Sequence, residues 1–148
     1  MKPCKILCPV DFSTSGKAAL DTATALARDR GAKLLIVHVQ EPSLAYIGGE
    51  FYFGIEEPTR NDLEQMLKAV VPTDPNVAYE HRLVTGEPAE TIVELAETEA
   101  VDMIVLSTHG RTGLSRILMG SIAESVVRKA KCPVLTIKAN AVAQKTGM

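Results

Sequence analysis

Residues 107–121, STHGRTGLSRILMGS, gather side chains and backbone that bind anions. Gly110, Gly113 and Gly120 admit backbone conformations closed to other residues, and Gly120 would let a phosphate approach a helix start closely. From Gly120 through Ser121 and Ile122 a helical pattern begins, where unpaired N–H groups and the positive end of the helix dipole favour negative charge. Arg111 adds a planar, permanently charged donor, and the hydroxyls of Ser107, Thr108 and Ser121 add more. The competing reading is a glycine-rich surface loop joining strand to helix. Position at the end of an apolar strand, together with Arg111 and Ser121, favours phosphate binding.

Other nucleotide and nucleophile motifs fail. Gly16-Lys17 matches the middle of a P-loop, but position 11 is Asp and position 18 is Ala. Where a dinucleotide fingerprint would stand after the first strand, the chain reads PVDFSTSG. A carboxylate there, Asp11, repels phosphate but accepts hydrogen bonds from a ribose; it is equally a cap or turn residue for the next helix. Gly113-Leu114-Ser115-Arg116-Ile117 lacks the last glycine of a nucleophile elbow. His38 and His81 fall in strand patterns and read as structural, while His109 is open between a phosphate donor, a general base and a solvated loop residue. Lys17 reads as a helix-surface lysine. Three histidines and three cysteines show no metal-ligand spacing, so no side-chain metal site is expected.

These residues need elements to hold them. Strand patterns cover 5–10, 33–39, 77–84, 102–107 and 133–138. Helical patterns cover 17–30, with Ser13, Thr14 and Ser15 as candidate N-caps and Gly31 beyond the end, then 59–70, 88–99 and 121–131. In the second helix Leu63, Met66, Leu67 and Val70 share a stripe; in the fourth, Ile122, Ala123, Val126, Val127 and Ala130 do. Glu90, Glu94, Glu97 and Glu99 read as a solvated face of the third. Alternation of strand and helix predicts an α/β fold: an open five-stranded parallel sheet with helices on both faces. The second and fourth strands are apolar on both sides, as interior strands are, whereas 77–84 alternates and belongs at an edge. The irregular stretch 40–58 holds Tyr46, Phe51, Tyr52 and Phe53, either a satellite core under the loop or a cover over a ligand or partner.

The chain has 148 residues, expected to form one domain (1–148) ordered to about residue 138, with 139–148 a flexible tail. Sixteen basic against 18 acidic residues give a net charge of −2, which argues against non-specific nucleic-acid or membrane-surface binding. Apolar runs reach only four residues, as in 34–37, far short of a membrane span, and the start of the chain has no leader pattern. If Cys4 and Cys8 share a strand they lie about 13 Å apart, beyond disulfide reach. Free thiols and the absence of a leader pattern point to the cytoplasm.

The opening ILCPVDFS, the strand end HVQEP, the VTGEP turn and the run STHG-x9-GS followed by KCPVLTIK together resemble the universal stress protein (UspA-like) family, in its ATP-binding branch. The likeness covers nearly the whole chain. Its pattern is G-x2-G-x9-G-[ST]; Gly110, Gly120 and Ser121 fit, and Ser107 stands in the first glycine position, where its backbone N–H is still available. The resemblance implies a Rossmann-like, adenine nucleotide alpha hydrolase-like sheet of order 3-2-1-4-5. It implies that Asp11 contacts ribose, that the Val39 backbone meets the adenine edge, and that Pro9 and Val10 line that pocket. Ser107, Gly110 and Arg111 would flank ribose and α-phosphate, and Gly120, Ser121 and Ile122 would hold the β- and γ-phosphates. Mg²⁺ or Mn²⁺ would be held mainly by the phosphates.

The expected function is therefore an ATP-binding, nucleotide-dependent regulator of a stress response, working through an unknown protein partner. Hydrolysis is expected to be slow at most, because no water-positioning Gln or Glu and no Walker-type Asp is evident, and the resemblance allows autophosphorylation at Ser121 or a nearby hydroxyl. A nucleotide-free interaction module of the same fold is the alternative. A small α/β enzyme would carry a signature such as HIGH or SGGxDS, and neither is present. An exposed last strand, Val134 to Lys138, predicts a two-fold homodimer through that edge, as the resemblance also implies.

Overall fold

The computed structural model describes residues 4–42, 57–109 and 119–138. Five strands, β1 (Lys5–Pro9), β2 (Lys33–Gln40), β3 (Tyr79–Thr85), β4 (Met103–Ser107) and β5 (Val134–Ile137), alternate with four helices, α1 (Thr14–Arg30), α2 (Arg60–Lys68), α3 (Pro88–Thr98) and α4 (Ser121–Lys129). The strands form one parallel sheet in the order β3-β2-β1-β4-β5, as the sequence and the resemblance predict.

Alternation of side chains along the strands builds two cores. Ile6, Cys8, Leu34, Ile36 and Val105 pack on one face against Ala19, Leu20, Ala23 and Ala27 of α1 and Leu67 of α2. Leu7, Leu35, Val37, Ile104 and Leu106 pack on the other against Ala89, Ile92 and Ala96 of α3 and Ala123 and Val126 of α4. The i, i+4, i+8 alanines of α1 have no side chain beyond Cβ, so the helix can lie close over the sheet. β2 and β4 are interior and buried on both sides; β3 is an edge, as its alternation predicts.

The helix boundaries follow their caps. Ser13 caps α1, so the helix begins three residues before Lys17, and Gly31 ends it at φ 63. Thr59 is the cap of α2 rather than its first residue; its hydroxyl and the Asp62 carboxylate form a reciprocal capping box. Three apolar positions read as core from periodicity are instead exposed, Met66 at 39%, Ile122 at 39% and Val127 at 46%, because each lies at the margin of its helix's buried stripe, set by Leu63 and Leu67 in α2 and by Ala123 and Val126 in α4.

Candidate functional site

The sheet opens on one side of the end of β1. Backbone groups of even-numbered β1 residues face β2, as Lys33 N–H to Cys4 O and Val10 N–H to Val37 O show, so Pro9 turns its nitrogen toward β4. Proline has no N–H to give there. The β1–β4 register accordingly contains Ile6–Met103 and Leu7–Ile104, while β1 and β2 remain paired as far as Pro9–Val37. Strand order reverses at this point, and a crevice at the carboxyl ends of β1 and β4 is where open α/β sheets take ligands.

β2 continues beyond β1. Odd-numbered β2 residues direct their backbone toward β1, and Val39 is the first with no strand opposite it. Its N–H would find the Val10 carbonyl if the ladder continued, but that oxygen is held by His38 Nδ1 at 2.7 Å. Val39 N–H and C=O therefore face the crevice without a partner among the described residues. Val10 is buried, and Pro9 and Val39 are half-buried.

Asp11 lies in the turn from β1 to α1. Its Oδ1 accepts from the Ser13 N–H at 3.0 Å and from the Ser13 hydroxyl, the turn role open to it in the sequence, while Oδ2 has no partner among the described residues. Between Asp11 and Ser13, Phe12 sits at φ 66, a left-handed conformation rare for a bulky side chain. Its ring packs on His38 with centroids 4.4 Å apart. The sequence carries no signal for this turn, although a histidine inside the apolar run KLLIVHV marks the residue that supports it.

Ser107 ends β4 half-buried, its hydroxyl donating to the His109 carbonyl at 2.7 Å; Thr108 Oγ1 meets His109 Nδ1 at 3.1 Å. Gly120 is the N-cap of α4 and offers no side-chain cap. Its N–H donates to the Thr108 carbonyl at 2.7 Å, and a Cβ there would stand 3.0 Å from that same oxygen. Gly120 thus ties the helix start against the end of β4, and the donors left for an anion are the N–H groups of Ser121, Ile122 and Ala123. Gly110 and Arg111 lie outside the described residues, as does the aromatic cluster at 46–53.

The rest of the described chemistry is structural. His81 Nε2 meets the Val70 carbonyl at 2.7 Å and ties the end of α2 to β3. Burial raises the Cys4 and Cys132 thiols and pushes Cys8 up to about 12, so none is poised as a nucleophile. No group of three or more His, Cys, Asp or Glu among the described residues could hold a metal ion. At the far end of the sheet Lys33, Glu80, Arg82, Glu99 and Lys5 form an alternating chain of ion pairs, and Lys33 holds the Glu80 carboxyl below its usual value. Beside Val10 and Phe12, a cleft of about 280 Å³ runs between the start of α1 and the end of α2; Lys17 is the one charged group among its described lining residues.

The universal stress protein family model matches residues 4–138. The chain belongs to this family. Over 136 residues it is 36% identical to the universal stress protein in the QAH/OAS sulfhydrylase 3′ region of Thermus aquaticus, covering 90% of this chain and 97% of the relative. The solved structure of protein MJ0577, a universal stress protein of Methanocaldococcus jannaschii, superposes with a TM-score of 0.70 at 32% identity over 93% of this chain and 97% of that one. A universal stress protein solved in complex with cAMP superposes with a TM-score of 0.61 at 28% identity, covering 92% and 97% of the two chains. Among the described residues of this universal stress protein, no helix is long and apolar enough to cross a membrane. The structure sets Pro9, Val10, Asp11 and Val39 together at the ends of β1 and β2, and Ser107, Gly120, Ser121 and Ile122 at the β4–α4 junction; the left-handed turn at Phe12 and its packing on His38 have no counterpart in the motif.

Proposed function

We propose that this universal stress protein binds an adenine nucleotide, ATP with Mg²⁺ or Mn²⁺, at the β1–β4 crevice and acts in the cytoplasm as a nucleotide-dependent regulator of a stress response through a protein partner. The observation that carries the reading is the Val39 backbone, unpaired among the described residues, at one side of the crevice with the N-terminus of α4 at the other. Val39 offers one donor and one acceptor, the complement of the N1 and amino edge of adenine. Asp11, through Oδ2, serves the ribose; Pro9 and Val10 wall the base; Ser107, Gly110 and Arg111 flank the ribose and α-phosphate. Ser121 and Ile122 hold the outer phosphates by backbone N–H, with Gly120 fixing their position. The phosphates hold the ion. Binding of cAMP by a relative of this fold supports an adenine ligand. Turnover is slow at most, and the bound nucleotide acts as a signal.

The test is to purify the protein without added nucleotide, denature it and chromatograph what is released, then to measure the thermal shift with ATP and Mg²⁺. An adenine nucleotide in the supernatant, or a rise in Tm that saturates with ATP, is expected. If neither is seen, the chain is an interaction module without nucleotide.

A further inference from the structure

We infer that His38 is a positioning residue for the adenine end of the site: it captures the Val10 carbonyl, denies Val39 N–H its ladder acceptor, and so keeps that donor directed at the crevice. The ligand half of this inference rests on the nucleotide reading; the hydrogen-bonding half does not.

The geometry is specific. Val10 N–H still pairs with Val37 O at 2.7 Å, so β1 is in register with β2 one residue past its last strand residue. The next bond of a parallel ladder is Val39 N–H to Val10 O. It is replaced by a side-chain bond of 2.7 Å from an imidazole that is only 9% exposed. The carbonyl can only accept, so Nδ1 carries the proton in this contact. Phe12, folded back at φ 66, lies against the imidazole and fixes the ring plane. His38 therefore satisfies the last carbonyl of β1 without using a β2 backbone donor. An aliphatic residue at 38 leaves Val10 O without its imidazole partner and open to Val39 N–H, the next rung of the ladder, and that pairing would close the adenine edge.

Three measurements test this. In the unliganded wild-type protein, nitrogen chemical shifts of neutral His38 should show the Nδ1–H tautomer; the Nε2–H tautomer would overturn the inference. Amide hydrogen exchange should be fast at Val39 and slow at Val37 in the wild type. In His38→Leu, Val39 should become protected by tenfold or more, whereas His38→Asn, whose amide nitrogen can stand where Nδ1 stands, should keep the wild-type pattern. Finally, the wild type should prefer ATP over 1-deaza-ATP, which lacks the N1 acceptor, by about tenfold. That preference should fall toward one in His38→Leu and return in His38→Asn. A protected Val39 amide in the wild type, or an unchanged preference in a folded His38→Leu, refutes the inference. Should the leucine variant not fold, the tautomer and the wild-type exchange rate decide. If the wild type binds no ATP, the nucleotide reading fails, and those same two measurements still judge the role of His38.

Discussion

Gly120 and Ser121 are neighbours with different tasks. Gly120 has its N–H bound to Thr108 O, and a Cβ would press on that oxygen at 3.0 Å, so a larger residue there strains the β4–α4 junction before it touches any ligand. Ser121 is the first residue of α4, with an N–H that the helix does not use. Proline suits that first position, and Gly120 at φ −61, ψ 154 already has the extended conformation that a following proline requires. Ser121→Pro should leave the fold intact, with Tm within about 2 °C of wild type, while removing the N–H proposed to hold a phosphate. ATP affinity is expected to fall about 10- to 100-fold by calorimetry, in the range of a hydrogen bond to a charged group. Ser121→Ala, which removes only the hydroxyl, separates the two contributions. Equal affinity in Ser121→Pro and wild type would remove the α4 N-terminus from the phosphate site.

The elements were largely legible because period and punctuation agree. Gly31 stops α1, Pro88 opens α3, and the doubly apolar runs of β2 and β4 fall inside the sheet. Polar side chains that act as caps were harder to place: Thr59 reads as a helix residue until its hydroxyl is seen accepting from Asp62 N–H at 3.1 Å. Apolar periodicity also does not say which side of a stripe has a neighbour, which is why Met66, Ile122 and Val127 read as core yet stand exposed. Nor did the site follow from motif alone, since the opening of the crevice depends on which way Pro9 faces in the ladder, a matter of register. The α2 capping box makes its own prediction. Thr59→Ala should cost about 1 kcal/mol in urea unfolding. The Thr59 backbone N–H, and then its hydroxyl, hold the Asp62 carboxyl below its usual value. Because the folded state has the lower pKa, this contribution is full above the ordinary carboxylate range and is lost as pH falls from there through the lowered pKa of the folded state. The stability gap between wild type and Asp62→Asn should therefore shrink on acidification; a gap that is constant from neutral to acid pH would contradict the capping assignment.

At the scale of the whole molecule, the two sheet edges differ. Odd-numbered β3 residues turn their backbone outward, and two of their carbonyls are occupied by arginines, Leu83 O by Arg60 at 3.1 Å and His81 O by Arg82 at 3.3 Å. Charged side chains across an edge discourage strand addition. On β5, Ile104 N–H to Pro133 O and Thr108 N–H to Ile137 O place the odd residues toward β4, leaving Val134, Thr136 and Lys138 facing outward with no side chain across them among the described residues. Leu135 is exposed at that edge, and the neighbouring α4 exposes Ile122 and Val127. A second copy of the chain, related by a two-fold axis and paired antiparallel along β5, would satisfy the outward groups of both strands together. Light scattering at micromolar concentration should give twice the 15.9 kDa chain mass. Thr136→Pro removes an outward N–H that meets no acceptor among the described residues, and proline is tolerated at such an edge position. That variant should keep the wild-type circular dichroism and run at the mass of one chain. The crevice lies on the far side of β4 from this edge, so ATP affinity should persist in the separated chain; a dimer that survives the substitution, or a wild type already at the mass of one chain, rules out assembly through β5.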